Sequence, residues 1–232
     1  MRKRKVAIGI VTLVAALSAA CNTWRGFGFQ ANGPEMQELR QVLALRPGMS
    51  VADVGAGNGQ LTLALAADVG QSGHVFSTDI DPEALELIRA AVAGAKLDNV
   101  TVVRAQARDS GLPANCCDAV ILRRVYHHVT DPAETDRSLL RAVRAGGVLA
   151  VIDFPPTFSW LWPWPPQGVP ENRGGHGVAA QIVVDEVTAS GFELNRVIDD
   201  WPGRWPLASY CALFRKPLGA PDAHAPERLK DS

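Results

Sequence analysis

Three glycines at alternate positions, Gly55, Gly57 and Gly59, lie within VADVGAGNGQ (Val51–Gln60). Asp53 stands two residues before the first of them, and a further acid, Asp79, follows in VFSTDIDP (Val75–Pro82). Glycine lets the main chain turn sharply and approach a ligand that a β-carbon would push away, while a helix starting at Gln60 aims free N–H groups at the same place. An acid ending the next strand falls where the two hydroxyls of a ribose would lie. The chemistry is that of a nucleotide-gripping turn between a strand and a helix.

Spacing narrows the nucleotide. Folds that hold a dinucleotide pyrophosphate use G-x-G-x-x-G, whereas this chain reads D-x-G-x-G-x-G. Asp53 repels a pyrophosphate and attracts an ammonium, so Asp53 with Asp79 suits a cationic nucleoside carrying a methionine tail. On these residues the chain resembles the class I S-adenosylmethionine-dependent methyltransferases, whose first motif is this acidic, glycine-rich turn and whose second is an acid ending the next strand. The resemblance implies S-adenosylmethionine as cofactor, held by Asp53, Gly55, Ala56, Gly57, Gly59, Asp79 and Ile80, and methyl transfer to a small-molecule acceptor. The alternatives are a non-catalytic S-adenosylmethionine-binding envelope protein, an NAD-dependent oxidoreductase and an ordinary glycine-rich loop.

The same resemblance assigns residues farther along. In Arg104–Val120 the family places an Asp on the adenine amino group; here Gln106 occupies that position with Ala107 beside it, and Asp109 is the competing acid, with a turn role as its alternative. In VILRRVYHHVTDP (Val120–Pro132) the family places its acceptor pocket. Arg123 is assigned to the cofactor side and Arg124 to an acidic substrate, the alternative being that one of them pairs with a nearby carboxylate. His127 and Tyr126 are the candidate catalytic residues. Histidine is a side chain that can accept a proton under physiological conditions, so His127 could take one from an acceptor, although a His pair at this place also occurs in the family without a base role. His176, between glycines, is expected to line the acceptor side. Phe154–Gly177 is a long loop without helical period; its Trp160, Trp162 and Trp164 would form a lid, dip into a membrane interface, or simply cover the sheet edge.

Alternating strand and helix patterns must position these groups. Strands are expected at Ser50–Val54, His74–Thr78, Val100–Arg104, Ala119–Leu122, Val148–Asp153, Phe192–Ile198 and Ser209–Phe214. Helices are expected at Pro34–Leu45, Gln60–Val69, Pro82–Ala95, Pro132–Val143 and Val178–Ser190. Asp81 and Asp131 each precede a proline, as N-caps do, with Glu134 as a capping-box partner for Asp131, and Gly146–Gly147 reads as the stop of the fourth helix. Asp81 is thereby structural, which leaves Asp79 for the ribose. The last two strands have no helix between them and must pair antiparallel. The fold class is therefore α/β: a Rossmann-like, seven-stranded, mostly parallel sheet with helices on both faces and a C-terminal antiparallel hairpin.

Length and composition allow one such domain with short extensions: 232 residues, 47% hydrophobic and 20% charged. The formal net charge of −1 provides no field to draw the protein to nucleic acid. At the N-terminus (residues 1–30), MRKRK precedes the apolar run Val6–Ala20 and Cys21. This is the pattern of a secretory signal, and LSAAC resembles a bacterial lipoprotein cleavage site. A lipid-anchored or signal-anchored envelope protein, a cleaved secreted one and a plain apolar helix all fit, and an uncleaved anchor facing the cytoplasm would reconcile the leader with a cytosolic cofactor. The methyltransferase domain is expected over 34–216 and a disordered tail over 217–232. Cys116, Cys117 and Cys211 make no zinc spacing, so no metal site is expected. Cys117 reads as a small core residue. A disulfide to its neighbour Cys116 is disfavoured by geometry, and a redox-active pair is the alternative.

Overall fold

The computed structural model describes residues 33–156, 165–202 and 208–219. The leader, the three tryptophans Trp160, Trp162 and Trp164, most of the final turn at 203–207 and the tail from 220 lie outside the described residues.

Five helices and seven strands follow the alternating pattern. They are α1 (Pro34–Val42), β1 (Ser50–Val54), α2 (Gln60–Val69), β2 (His74–Asp79), α3 (Pro82–Gly94), β3 (Val100–Arg104), β4 (Cys117–Arg123), α4 (Pro132–Ala142), β5 (Val143–Asp153), α5 (Ala180–Ala189), β6 (Glu193–Ile198) and β7 (Tyr210–Arg215). The strands form one sheet in the order β3-β2-β1-β4-β5-β7-β6. The first five are parallel to their neighbours, and β7 inserts antiparallel between β5 and β6.

Side chains of a strand alternate between faces, so a sheet buried on both sides needs apolar residues at nearly every position. β4 supplies them: Ile121 joins Met36, Leu39, Leu65 and Val69 on one face, while Val120 and Leu122 join Leu139, Val183, Val187 and Phe192 on the other. Each such Val, Leu or Ile contributes about 1.5–3 kcal/mol when fully buried. Among the described residues no helix is long and apolar enough to cross a membrane.

Two local expectations are corrected. The fourth helix does not stop at Gly146–Gly147. It ends at Ala142, Val143 is already extended, and β5 begins there. Gly146, at φ +75°, instead belongs to a register shift within β5, where Gly146 N donates to Lys216 O and Lys216 N to Gly147 O. A positive φ serves a strand irregularity as well as a helix stop, so the sequence pattern cannot separate them. Asp131 does cap α4, accepting from Glu134 N at 3.2 Å, but the Glu134 side chain pairs with Arg137 rather than completing a capping box. Asp81 caps α3 through Glu83 N at 3.0 Å.

Cys117 is fully buried, as a core residue should be, yet it is disulfide-bonded to Cys116. This pair sits where β4 begins, at the opposite end of the sheet from the glycine turn.

Candidate functional site

The order of strands reverses between β1 and β4, and the crevice beyond their carboxyl ends is where an open α/β sheet binds its ligand. The glycine turn leaves β1 there. Gly55 N and Ala56 N both donate to Thr78 O, at 2.8 and 3.0 Å, which pins the turn to the end of β2. A β-carbon on Gly55 would collide with Val125, whereas one on Gly57, at φ +58°, would meet nothing within 4 Å. Packing therefore demands the first glycine, and backbone conformation favours the second.

Asp79 ends β2 and holds this turn from the side. One carboxylate oxygen accepts from Gly57 N at 2.9 Å and the other from Asp81 N at 3.0 Å. Asp53 lies beneath. It is 2% exposed and accepts from Thr62 Oγ1 at 2.7 Å, and from the Thr62 amide. Burial pushes its carboxyl up to about 6, against the pull of the Thr62 hydrogen bond and of the Arg123 charge. One expectation changes here. The first amides of α2 are not all aimed at a ligand, because Gln60 N is met by Asn58 Oδ1 and Thr62 N by Asp53. What the turn offers a ligand is shape and negative charge more than N–H donors, which fits a cationic end.

Two lobes flank Gly55. The polar one, about 460 Å³, is walled by Asp53, Ala56, Asn58, Gln60, Leu61 and Arg123. The apolar one, about 670 Å³, is walled by Asp79, Ile80, Gln106, Ala107, Val125 and His128 among others. Ile80 is 60% exposed, a large apolar side chain with its face open to this lobe. Gln106 and Asp109 bridge each other through their backbones. The Asp109 carboxylate is taken by Gly111 N and Arg141, while Gln106 remains exposed on the lobe wall. The residues present fit S-adenosylmethionine: a polar lobe with Asp53 for the amino-acid end, Asp79 on the wall of the apolar lobe for the ribose, and the rest of that apolar lobe for the adenine.

The two arginines separate. Arg123 lines the polar lobe but its guanidinium makes a two-pronged pair with Glu35 of α1, at 2.8 and 2.7 Å, and Trp201 Nε1 donates to the same carboxylate at 3.4 Å. Arg124 takes φ +57° and its backbone N–H donates to Ile152 O; it lies outside the walls of both lobes.

Beyond β4 and β5 the site is built from side chains. Tyr126 does not suit the catalytic role expected of it. It is fully buried, its hydroxyl donates to Asp136 at 2.7 Å, and burial beside Asp136 and Glu186 drives its ionisation far above the ordinary tyrosine range. It belongs to a buried brace in which Arg173 grips Glu186 at 2.8 and 3.0 Å and lies 5.7 Å over the Tyr126 ring. Asp136 in this brace is pushed up to about 7 by burial.

His127 is 2% exposed. Its Nδ1 lies 2.8 Å from Asp153 Oδ1, its backbone N–H donates to Asp153 Oδ2, and no hydrogen bond is made to Nε2 among the described residues. His128 and His176 stand beside it, with ring centroids 4.1 and 4.9 Å from that of His127. His128 is pushed down to about 4 by partial desolvation and by the other two imidazoles, and His176 is lowered by desolvation and by His127. Gly177, at φ +121°, makes the approach possible, since a β-carbon there would strike the Phe154 and Pro155 carbonyls. Asp153 and the Asp136–Glu186–Arg173 brace escape sequence reading. Asp153 did carry a signal, because it ends its strand as Asp79 ends β2.

Residues 52–151 match a family described as Methyltransferase domain. The ubiquinone/menaquinone biosynthesis C-methyltransferase UbiE of Vibrio cholerae is 34% identical over 110 residues, 47% of this chain and 42% of that one. The protein of the same name from a Shewanella species is 30% identical over 154 residues, 66% and 61%. The chain thus spans about half the length of the curated relatives it matches. A S-adenosylmethionine-dependent methyltransferase structure from Aquifex aeolicus superposes with a TM-score of 0.65 at 23% identity, over 80% of this chain and 90% of that one. Over residues 52–151 the chain carries a methyltransferase domain, on the fold of an S-adenosylmethionine-dependent methyltransferase. That domain and fold imply S-adenosylmethionine as the cofactor.

Proposed function

We infer that the protein binds S-adenosylmethionine across Gly55 and transfers its methyl group to a small-molecule acceptor. The observation that carries this reading is the turn itself: Gly57 facing open space at φ +58°, fastened by Asp79, over a buried acid. When bound, the cofactor supplies an electrophilic methyl on a sulfonium, so an acceptor nucleophile bonds to that carbon as the sulfur–carbon bond breaks and S-adenosylhomocysteine departs. The chain's own contribution is positioning. Asp79 orients the ribose, Asp53 favours the ammonium, and the walls of the crevice exclude water. An oxygen-bearing aromatic ring of the quinone class is the first acceptor to test, because the relatives are C-methyltransferases of ubiquinone and menaquinone biosynthesis.

Calorimetry with S-adenosylhomocysteine on the intact protein tests binding, and labelled methyl transfer into a lipid and small-molecule extract, read by mass spectrometry, tests turnover. No heat of binding would overturn the reading. Gln106, standing where the family has an acid, supports a second one, a cofactor-binding protein without turnover; binding with no label transferred would favour it. The leader MRKRK–Cys21 supports attachment to a bacterial envelope membrane with the domain on the cytoplasmic face. Fractionation placing the protein wholly in the soluble extract would exclude it.

A further inference from the structure

Three imidazoles meet beside the crevice although their positions in the chain, 127, 128 and 176, lie far apart. Each offers one ring nitrogen, and these atoms lie within 4.8 Å of one another. We propose that His127, His128 and His176 form a binding site for one divalent first-row transition ion, with Asp153 as the group that orients the first of them.

His127 carries the strongest part of the case. A carboxylate only accepts, so its bond with Asp153 places the ring proton on Nδ1 and leaves the Nε2 lone pair for another partner. Fixing a histidine's tautomer and ring orientation through a carboxylate on the other nitrogen is how proteins prepare a metal ligand. Asp153 is itself held: it is fully buried and also accepts from Phe154 N at 3.0 Å. Each end of the arrangement is therefore fixed before any ion arrives.

The donor set decides the class of ion. Imidazole nitrogen suits zinc, cobalt, nickel and copper, whereas magnesium, calcium and manganese prefer oxygen, and the Asp153 carboxylate beside the cluster is turned to the His127 ring. Zinc–nitrogen bonds of about 2.0–2.1 Å in tetrahedral geometry hold donors about 3.4 Å apart, so the widest pair must close by about 1.4 Å. His128 is exposed and His176 half-buried, which leaves those two rings room to rotate toward the fixed one. Three protein ligands leave a position open. His128 also walls the apolar lobe, so the ion would border the donor crevice. The role that follows rests on the methyl-transfer reading: the ion would bind an acceptor hydroxyl oxygen and acidify it, so that its proton passes to solvent water and the resulting oxyanion makes the acceptor the better nucleophile.

The test is a titration of chelator-treated, full-length protein with Co²⁺ alone, read by its visible ligand-field bands, with Zn²⁺ added afterwards. One equivalent should bind with the intense bands of a low-coordinate nitrogen site, and Zn²⁺ should abolish them. His128→Ala and His176→Ala should each weaken Co²⁺ by at least about 10-fold, and His176→Gln serves if the alanine variant loses its circular dichroism. A flat titration, or bands that survive His176→Ala unchanged, would overturn the proposal and leave three imidazoles packed together, two of them against Phe154. S-adenosylhomocysteine calorimetry on the same sample separates the two readings: binding of that ligand without Co²⁺ uptake rejects the metal site alone, and Co²⁺ uptake without it rejects the cofactor reading alone.

Discussion

The two halves of this crevice, the glycine-turn side proposed for the donor and the His127 side proposed for the acceptor, are made of different material. Around Gly55 to Asp79 the site is main chain and short acids, and its parts sit within about one strand–helix–strand unit. Around His127 it is bulky ionisable side chains, most of them buried, drawn from the turn after β4, the end of β5, α4, the loop before α5 and α5 itself. The donor half answers to a moiety of fixed chemistry, which a short motif can encode. The acceptor half depends on contacts between positions 127, 136, 153, 173, 176 and 186, and no local spacing announces them.

If the donor half works through main chain and charge, changes there should cost the most. Asp79→Ala removes charge-assisted acceptors from Gly57 N, Asp81 N and the ribose. Two such bonds at about 1.5–3 kcal/mol each predict a fall in S-adenosylhomocysteine affinity of about 100-fold or more by calorimetry. Gly57→Val, which sets a branched side chain at φ +58°, should do at least as much harm. An unchanged affinity in either variant would dissolve the contrast.

The acceptor half should register first as stability. Asp136 has a carboxyl raised from 3.8 to about 7, and Asp53 one raised to about 6. The folded state then binds more protons than the unfolded chain between about pH 4 and 7, so stability falls as pH rises through that window. The Asp136 part is on the order of 2–4 kcal/mol at neutral pH. Asp136→Asn should flatten the slope of thermal midpoint against pH, and an identical slope in wild type and variant would show that the brace titrates elsewhere.

Tyr126→Phe should cost about 1–3 kcal/mol in urea unfolding, by taking a donor from buried Asp136, while leaving S-adenosylhomocysteine affinity alone. Loss of turnover at full stability would instead return Tyr126 to the chemistry. The smallest expected effect lies at the far end of the sheet. Reducing Cys116–Cys117 should change cofactor affinity by less than about 2-fold, since a shift of ~0.4 kcal/mol is all that would amount to. A large change would mean that the two ends of β4 communicate.

Much of the fold is legible because its signals are local. The boundaries of β1 and β3 follow directly from apolar runs between turn residues, and Asp81 and Asp131 cap as their following prolines suggest. The start of β5 is not legible, because Gly146 at φ +75° serves a strand irregularity and not a helix end. In the donor half, Asp79 and the three glycines stand where spacing implied. In the acceptor half, Tyr126 looks like a catalytic phenol until its burial and its bond to Asp136 are seen, and the convergence of His176 on His127 depends on the close packing of Gly177 against β5's exit.

The clasp of Glu35 by Arg123 and Trp201 has a practical corollary. Helix α1 is fastened through Glu35 to Arg123, a wall residue of the polar lobe, so it supports that lobe from outside and is not a detachable spacer behind the leader. Shortened versions made for crystallisation should begin no later than Gly33. Cutting past Glu35 would take away the carboxylate that both Arg123 and Trp201 hold.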